Sequence, residues 1–332
     1  MKVTARDIAR KLNVSTAAIS MALNNKPGVS DQLRQKIIRT AREMGYDFSR
    51  IEARQNASNT IGFVFFHKNF VFDTPFFAEL AQSLEAAIKK QGYSLAVFHI
   101  HDLDQIEEEV ASLQVMDYAG IILLGTTMNA QEFEPFRKLK APLVLLDTCF
   151  TGQNVNCVTI ANLEGAQTAT GYLIEKFHEQ PGYLHASQEI VNFRERKEGF
   201  YEAIRSHSLS PSNSIVHTLA PSLDGAYGDM LAILRNGEPT ARCYFADNDE
   251  IALGAMRAFK AMGFRVPEDV AIAGFDNISY ASLVEPALTT YHVPKDFMGR
   301  TAAELLLQMI ESHEKQTLRI SINGRLILRD SA

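Results

Sequence analysis

Apolar residues in the first 46 positions recur at helical spacing in three short segments. In the first segment Ile8, Ala9 and Leu12 form one stripe, and Thr4 and Asp7 stand at the spacing of a capping box, which predicts a helix that starts at Thr4. Two further stripes have the same spacing: Ile19 and Leu23 in the second segment, and Leu33, Ile37, Ala41 and Met44 in the third. Three short helices whose stripes converge on one core predict a small all-α domain.

The first two of these helices have the features of a helix-turn-helix. Asn13 tolerates the left-handed conformation of a tight turn, and Ser15 is suited to cap the second helix. The outer face of that helix is left with Thr16, Ala17, Ser20 and Met21. A helix with small residues on its outer face can enter a DNA major groove. On periodicity alone, the alternative is an ordinary helical hairpin with a similar turn.

The distribution of charge along the chain favours the DNA-binding interpretation. Residues 1–60 contain eleven Lys or Arg and five Asp or Glu, a net charge of +6, whereas the whole chain carries −6 and the remainder therefore −12. A basic segment on an acidic body indicates a polyanionic partner for that segment alone. Because basic residues that neutralise phosphates displace counterions, we expect binding that weakens steeply with salt.

Beyond residue 60 the pattern changes to short apolar runs separated by helical segments. The runs form two successive series, at 61–66, 95–100, 120–124 and 143–146, and then at 182–186, 215–219, 243–246 and 270–275. Short apolar runs that alternate with helices are typical of buried parallel strands in doubly wound sheets. The predicted fold is therefore an all-α head followed by an α/β body of two parallel-sheet lobes, with residues 289–293 as a late crossover.

Composition narrows the functional classes. No apolar run is long enough to span a membrane, and the N-terminal pattern is that of the helical head rather than of a signal peptide, so we expect a cytoplasmic protein without a membrane partner. Cys149, Cys157 and Cys243 are odd in number and lack metal-type spacing, which predicts buried, reduced thiols. Since no Gly-rich phosphate loop or nucleophile–base pair emerges, we expect no catalytic residue, no metal and no cofactor.

Several short motifs along the chain point to the same known family of proteins. In the head they are Val14-Ser15, Ile19-Ser20, Asn24-Asn25, Val29-Ser30 and Gly45-Tyr46, and in the body the helical segment that follows Asn248-Asp249. With these motifs, residues 3–46 resemble the DNA-binding headpiece of the LacI/GalR family of bacterial transcription regulators, and the resemblance continues over essentially the whole chain. It implies a helix-turn-helix domain at 1–46, a hinge at 47–60 and an effector-binding and dimerisation domain at 61–332.

The resemblance also implies how the body is divided. The layout is similar to the type I periplasmic-binding-protein fold, in which the chain returns to the first lobe and ends in the second. Lobe 1 is expected at about 61–159 and 291–317, and lobe 2 at about 160–290 and 318–332. Ligands of such sheets bind outside the carboxyl ends of the strands, where loops of both lobes converge.

The resemblance implies a set of DNA-contacting residues in the head and hinge. They are Thr4, Ser15, Thr16, Ala17, Ser20, Met21, Asn24, Ser30, Arg50 and Arg54. Met21 stands where relatives often carry Arg, and a Met can contact a thymine methyl but cannot make the bidentate guanine contact. The hinge looks short, with Phe48 in place of the usual proline and Gln55 or Asn56 in place of the leucine that relatives wedge into the minor groove. We therefore expect an operator that differs from the common family sequence.

Polar residues follow several predicted strands, where effector-binding groups are expected. The candidates are Asp147, Asn192, Arg196, Asn248, Asp249 and Asp276. In relatives the matching Arg, Asn and Asp positions bind hydroxyls or ring atoms of a sugar or purine. An Arg fork and carboxylates can each hold two neighbouring hydroxyls, which suits a polyol. The alternative is that each Asp or Asn only caps the helix after it, and for Asn248 and Asp249 the two roles stay open.

An aromatic wall for the effector is a further expectation. The chain has no Trp, and the segment before the first helix of the body is longer than the family pattern. We hypothesise that Phe70, Phe72 and Phe76 form an apolar wall; the alternative is that they fill the core of the lobe, which is the role we expect for Phe77.

These features predict a dimeric transcription regulator, a repressor of a carbohydrate operon. Its expected partners are double-stranded operator DNA, a small-molecule effector and a second copy of the chain, and it is not expected to be an enzyme. A solute-binding protein for transport is one alternative, since the body alone has that fold. Control by a purine or by a partner protein is another.

Overall fold

Two units make up the chain, a head at Met1–Ser58 and a body at Asn59–Ala332. The computed structural model describes residues 3–23, 28–46, 59–66, 75–101, 104–312 and 316–332. Most of the predicted hinge therefore lies outside the described residues, together with the candidates Asn24, Arg50, Arg54, Phe70 and Phe72.

The head contains the predicted helix-turn-helix. Its helices are Ala5–Leu12 (α1), Thr16–Leu23 (α2) and Asp31–Glu43 (α3). Helix α1 begins after Thr4, whose backbone N–H and hydroxyl both donate to Oδ2 of Asp7, at 2.9 and 2.6 Å. Asn13 ends it with a left-handed φ of 51°. The capping box and the turn are thus as the sequence predicts.

One apolar core holds the three helices of the head together. Its buried members are Ile8, Ala9, Ile19, Ala22, Leu23, Ile37 and Ala41, and the other members of the predicted stripes, Leu12, Leu33 and Met44, are partly buried against them. Ser15 and Ser30 accept from the backbone N–H groups of Ala18 and Leu33 and so cap α2 and α3. Arg34 adds a link that the pattern did not indicate, because its guanidinium donates to the carbonyl oxygen of Met21 at 3.2 Å, at the negative end of the α2 dipole.

The body contains two six-stranded sheets. The first consists of Thr60–Phe66 (β1), Ser94–Ile100 (β2), Gly120–Leu124 (β3), Leu143–Leu146 (β4), Asn156–Ile160 (β5) and Arg319–Ile322 (β11), in the order β11-β5-β4-β3-β1-β2. All its strands are parallel. Buried apolar side chains cover both faces of β1, β3 and β4, which is why these three strands read as continuous apolar runs.

The second sheet repeats this plan. It consists of Gly182–Ala186 (β6), Val216–Leu219 (β7), Cys243–Ala246 (β8), Ala271–Asp276 (β9), Thr289–His292 (β10) and Arg325–Ile327 (β12), in the order β12-β10-β9-β8-β6-β7. Only β12 is antiparallel to its neighbour. We call the part built on the first sheet lobe 1 and the part built on the second sheet lobe 2.

Eight helices in the described body surround the sheets. They are Pro75–Lys90 (α4), Ile106–Val115 (α5), Ala130–Phe133 (α6), Asn162–Phe177 (α7), Val191–Ser206 (α8), Leu223–Arg235 (α9), Asp249–Ala261 (α10) and Lys295–Ser312 (α11). Helix α11 packs against α4 and the first sheet, whereas α7 packs against α8 and the second sheet. Among the described residues no helix is both long enough and apolar enough to cross a membrane.

The C-terminal segment departs from the expected division of the lobes. Residues 318–332 were expected in lobe 2, but Arg319–Ile322 pairs with β5 at the edge of the first sheet. Tyr291 and His292, expected in lobe 1, pair with β9 in the second sheet. Backbone hydrogen bonds between neighbouring strands place both segments in these sheets. The apolar pattern of such short mixed runs does not indicate which sheet they join. The chain therefore crosses between lobes three times, after β5, after β10 and after β11.

Asp249 ties three elements of lobe 2 together at the start of α10. Its Oδ1 accepts from the Thr290 hydroxyl on β10 at 2.5 Å, and its Oδ2 accepts from the backbone N–H of Ile278 after β9 at 2.8 Å. The side chain is fully buried. Burial and the neighbouring Asp276 carboxylate raise the pKa of Asp249 to about 8, against the partial opposing effect of its hydrogen bonds.

A close approach between α7 and α8 generates the first prediction. A Cβ on Gly199 of α8 would lie 2.1 Å from the backbone oxygen of Leu163, so Gly199→Ala must push the helices apart. We expect a loss of about 1–3 kcal/mol in the free energy of unfolding, measured by urea denaturation. Gly228→Ala is the matched control, because nothing lies within 4 Å of its Cβ position on α9 and Ala is the better helix former. Equal stability of the two variants would contradict the tight packing.

The Asp249 carboxyl generates a prediction for pH dependence. Its pKa is about 8 in the folded protein and 3.8 ordinarily, so between these values the folded state holds a proton that the unfolded chain releases. Its contribution to stability therefore falls as the pH rises through this window, with a slope of up to about 1.4 kcal/mol per pH unit. Asn cannot ionise, yet its amide can accept from Ile278 and donate to Thr290.

We expect the free energy of unfolding of Asp249→Asn to decline less between pH 6 and 8 than that of the unsubstituted protein. Chemical denaturation at several pH values measures this difference. The control is Asp269→Asn on the surface, since the hydrogen bonds from Arg265 lower the pKa of Asp269 to about 2 and its charge is constant in this window. If the Asp249→Asn curve ran parallel to the unsubstituted curve, the inferred proton would be absent.

Candidate functional site

A cleft opens in the body where the carboxyl ends of both sheets meet. Six of the proposed effector residues, Phe76, Asp147, Asn192, Arg196, Asn248 and Asp276, line it. The other lining residues are Phe77, Thr126, Ile160, Ile190, Phe193, Glu250 and Ile278. The walls therefore combine polar groups from strand ends with apolar and aromatic faces.

Asp147 is the acidic group that lobe 1 places in the cleft. It follows β4 with a left-handed φ of 65°, and its side chain is 1% exposed. The carboxylate accepts from the Thr126 hydroxyl at 2.6 Å and from the Asn192 amide at 3.1 Å. Burial raises the pKa of Asp147 to about 7 against the opposing effect of these donors. Because Asn192 lies on α8, the second hydrogen bond joins the two lobes directly across the cleft.

Arg196 is the cation of the cleft, and lobe 2 buries it almost completely. Its Nε donates to Asn162 Oδ1 at 2.9 Å, its Nη1 to the backbone oxygen of Asp247 at 2.5 Å and its Nη2 to Asp276 Oδ1 at 3.1 Å. The guanidinium stacks on the Phe275 ring at 3.8 Å from its centroid. Three of its five N–H bonds are engaged by these groups, and two more can serve a ligand.

Asp276 sits opposite Arg196 at the end of β9. It has a left-handed φ of 107°, and its side chain is 14% exposed. Burial raises the pKa of Asp276, while the positive charges of Arg196 and Lys295 act in the opposite direction. Arg196 holds one oxygen of this carboxylate, and Asp276 lines the cleft.

Lys295 connects this region to lobe 1. It begins α11 directly after the second crossover, and its Nζ donates to the backbone oxygens of Asp276 and Asn277, each at 3.0 Å. The same ammonium pairs with Glu79 of α4 at 3.2 Å. With three donors and three acceptors, the buried Lys295 is fully satisfied and leaves no donor for a ligand.

Asn248 and Asp249 turn out to have different roles. Asn248 caps α10, because its Oδ1 accepts from the Ile251 N–H at 2.9 Å, and it also lines the cleft. Asp249 does not line the cleft, so its proposed place in the effector site is corrected. Its carboxylate points into lobe 2, where Thr290 and the Ile278 backbone occupy it. Sequence position alone could not separate these roles, since adjacent residues at a helix start point in different directions.

The aromatic part of the cleft differs in part from the expected wall. Phe76 lines the cleft from α4, as proposed, while Phe70 and Phe72 lie outside the described residues. Phe77 belongs to the core of lobe 1, as expected, but it also reaches the cleft. Phe193 adds a ring from lobe 2 that sequence reasoning missed. Its position one turn before Arg196 on the same face of α8 was the signal that could have identified it.

A buried polar network behind Arg196 was also missed. The Asp247 carboxylate accepts hydrogen bonds from the Tyr183 hydroxyl and from the backbone N–H of Ala186, and it lies 2.7 Å from Nδ1 of His185. This network fixes Asp247, whose backbone oxygen receives Arg196. The sequence held a signal for this network, because Tyr183 and His185 are two residues apart in an otherwise apolar strand and therefore lie on the same face of β6.

Of the proposed DNA contacts that the structure describes, all but one lie on the surface of the head. Thr4, Ser15, Thr16, Ala17, Ser20 and Ser30 are exposed, whereas Met21 is half-buried. Met21 packs against Gly28, where an added Cβ would lie 2.9 Å from its sulfur. In the described part of the head, six basic side chains are exposed: Arg6, Arg10, Lys11, Lys36, Arg39 and Arg42. Ser15 and Ser30 have a second use as helix caps, which does not prevent contact with a phosphate.

Comparison with known proteins agrees with both parts of this architecture. Residues 4–48 match the model of the bacterial regulatory proteins of the lacI family, and residues 170–332 match a periplasmic binding protein-like domain. The ribose operon repressor of Halalkalibacterium halodurans is 30% identical over 331 residues, which cover 99% of this chain and 96% of the relative. The transcriptional regulator GalS of Salmonella typhimurium is 31% identical over 92% of this chain and 89% of its own length.

A solved structure extends the likeness to the whole fold. The complex of the transcriptional regulator CelR with cellobiose superposes with a TM-score of 0.76 at 25% identity, and all of both chains is covered. A helix-turn-helix head, a two-lobed body and relatives of this identity over nearly the full length lead to one conclusion. The chain belongs to the lacI family of bacterial regulatory proteins.

Proposed function

We propose that this regulator is a repressor whose operator affinity is controlled by an uncharged carbohydrate bound in the cleft between the lobes. The observation that carries the proposal is the meeting of Asp147 from lobe 1 with Asn192, Arg196 and Asp276 from lobe 2 around one cavity. Carboxylate, amide and guanidinium groups at close range can each bind one or two neighbouring hydroxyls.

The apolar faces of the cleft support the same ligand class. Phe76 and Phe193 come from opposite lobes, and both are buried. A sugar ring presents hydroxyls at its edge and C–H bonds on its faces, so it needs polar groups around it and apolar groups above or below it. Pockets with mostly apolar walls and a few placed polar groups are typical of small-molecule sites.

The charges of the cleft favour an uncharged ligand over a sugar acid or a sugar phosphate. The positive charge of Arg196 is already paired with Asp276, and Lys295 is paired with Glu79 on the side of α4. Asp147 and Glu250 add acidic groups to the lining. An anion entering this cleft would lose water without gaining an uncompensated cation, which is unfavourable.

The proposed mechanism is a shift between arrangements of the lobes. In the present arrangement Asn192 donates to Asp147 across the cleft. A ligand hydroxyl that takes either position changes the free energy of this arrangement relative to others, and a ligand can shift the equilibrium only through such differential contacts. In a homodimer, a change in the bodies would alter the spacing of paired heads on a near-palindromic operator.

The named relatives support this assignment. One is a ribose operon repressor, and the CelR structure contains cellobiose. Since operator DNA lies in the bacterial cytoplasm, we place the protein there, and we propose that the cleft binds its ligand without turning it over.

The cleft assignment predicts which substitutions abolish the response to an effector. A heat-shift screen of the full chain with ribose, galactose, cellobiose, galacturonate, glucose 6-phosphate and adenine should show stabilisation by an uncharged sugar. Asn192→Ala removes an amide that we assign to a ligand hydroxyl and should weaken binding of that sugar about tenfold in calorimetry. Arg196→Met should weaken sugar binding further, because it removes the guanidinium that pairs with Asp276 and that we assign to the ligand.

Arg205→Ala is the control for both variants. Arg205 lies on the same helix but is half-exposed and pairs only with Glu202 among the contacts described for it. Unchanged sugar affinity in both Asn192→Ala and Arg196→Met would reject the cleft as the effector site. Stabilisation by galacturonate or glucose 6-phosphate alone would reject the uncharged ligand class.

Helix α2, whose outer face is expected to enter the major groove, leads to a separate prediction about the operator sequence. Arg can donate two hydrogen bonds to guanine, whereas Met offers an apolar contact that suits a thymine methyl. We expect Met21→Arg to shift the preferred base at one position of each half-site to guanine, by at least about tenfold, in a selection from random duplex DNA. Met21→Leu keeps the apolar contact and the packing on Gly28, so its selected sequence should match that of the unsubstituted protein. Identical selected sites for Met21→Arg and the unsubstituted protein would show that this residue does not read a base.

A further inference from the structure

Lys295 is buried although its head carries a charge. Its side chain is 4% exposed, and its ammonium is held by the backbone oxygens of Asp276 and Asn277 and by the carboxylate of Glu79. Taking an ammonium out of water is costly, and an apolar side chain of similar length would fill the same space without that cost. The charge is therefore best explained by the groups that it holds.

The backbone of Lys295 belongs to lobe 1, whereas two of its three acceptors belong to lobe 2. Helix α11 is fixed to α4, because the Ser83 hydroxyl donates to the backbone oxygen of Asp296 at 2.6 Å. The two helices are also close, since a Cβ on Gly299 would lie 3.0 Å from the backbone oxygen of Leu80. From this helix the ammonium reaches the end of β9. One side chain thus spans the lobes beside the crossover from β10 to α11.

The backbone that Lys295 holds is itself fixed within lobe 2. The N–H of Asn277 donates to the Thr290 hydroxyl at 3.3 Å, and its side-chain oxygen accepts from Arg329 at 2.7 Å. Its side-chain nitrogen lies 3.1 Å from Nδ1 of His292. The hydrogen bonds of Lys295 therefore join two well-anchored segments rather than a loop and a helix that can adjust separately.

One residue from each wall of the cleft adjoins this ammonium. In lobe 2, Asp276 pairs with Arg196 through its carboxylate and with Lys295 through its backbone oxygen. In lobe 1, the centroid of the Phe76 ring lies 5.6 Å from Nζ of Lys295, within the range of a cation–π interaction. Lys295 does not line the cleft but a separate, open groove between α4 and α11. It can therefore act on both walls without contacting a ligand.

We propose that Lys295 is a positioning residue that fixes the two walls of the cleft relative to each other, and that the Asp147–Asn192 hydrogen bond is the link that opens. Its effect on effector affinity rests on the proposed function, because a ligand senses the separation of the walls only if it contacts both. A preorganised cleft spares the ligand the free energy of bringing the walls together. Without the ammonium, the binding-competent arrangement of the lobes is populated less.

Distances between spin labels on the two lobes test this restraint in the full chain without any ligand. Cys149 is half-buried, so the expectation that all three thiols are buried is wrong for it, and Ser replaces it in the labelled protein. Cys157 and Cys243 are buried and are kept. Lys140→Cys in lobe 1 and Arg235→Cys in lobe 2 carry the labels, since both positions are exposed. An excess of unlabelled protein limits each dimer to one labelled chain.

Lys295→Met removes the ammonium but keeps an unbranched side chain, and we expect it to broaden the distribution of distances between the labels. Glu79→Ala should broaden the distribution less, because the ammonium keeps its two acceptors in lobe 2. It should add nothing to Lys295→Met, since Glu79 acts through this ammonium. Glu79 is 43% exposed, so its replacement tests the restraint even if Lys295→Met does not fold.

Lys89→Met is the matched control. Lys89 also lies on α4, but it is exposed and pairs with the exposed Glu85 at 2.6 Å, so its replacement should leave the distribution narrow. Equal widths in Lys295→Met, Glu79→Ala and Lys89→Met would overturn the proposal. Further broadening when Glu79→Ala is added to Lys295→Met would also overturn it, because the two residues would then act separately.

Calorimetry with ribose, galactose and cellobiose measures the consequence for the cleft. We expect the sugar that binds the unsubstituted protein to bind Lys295→Met about tenfold more weakly and Lys89→Met equally well. Broader distances with unchanged sugar affinity would overturn the role of Lys295 toward the effector. Broader distances in a protein that binds no sugar would support the restraint and count against the proposed function instead.

Discussion

The burial of one guanidinium organises the cleft. Arg196 is 3% exposed, and a buried charge is tolerated only when it is paired and its donors are satisfied. Its partners come from the start of α7, from the end of β8 and from the end of β9. These segments are far apart in the chain, and the planar guanidinium requires each of them at a defined angle. The shape of the lobe 2 wall is thus a consequence of keeping this cation hydrogen-bonded.

Opposite this wall, lobe 1 places a carboxyl group rather than a second cation. Asp147 lies in a left-handed turn and is satisfied by Thr126 of its own lobe and Asn192 of the other. Lys295 meanwhile joins the backbone at the end of β9 to Glu79 of α4, and it is not among the residues that line the cavity. Two kinds of link therefore connect the lobes. The Lys295 link is saturated by protein groups, whereas the Asp147–Asn192 link lies where a ligand can compete for it.

The head and most of the body follow from periodicity because their elements obey local rules. Thr4, Asn13, Ser15 and Ser30 shape the backbone through groups within a few residues of themselves, so the sequence alone predicts their effect. The strands missed by the pattern are β5, β11 and β12, which are short and partly polar or exposed, and whose existence depends on neighbours supplied from elsewhere in the chain. The same limit applies to Asp249: a carboxylate beside a capping Asn was recognisable, but its partner Thr290 is 41 residues away.

The three crossovers between the lobes determine when each sheet can be completed during synthesis of the chain. The first sheet lacks its edge strand until Arg319–Ile322 has been synthesised, by which time every strand of the second sheet except β12 is already present. Two hydrogen bonds also depend on this late segment: the Leu318 N–H donates to the Asn156 side chain, and the Ala161 N–H donates to the backbone oxygen of Ile322. A nascent chain interrupted before residue 319 would thus carry an open sheet edge, which is a surface prone to pairing with other chains. In this interleaved topology both sheets receive their last strand only near the C-terminus of the chain.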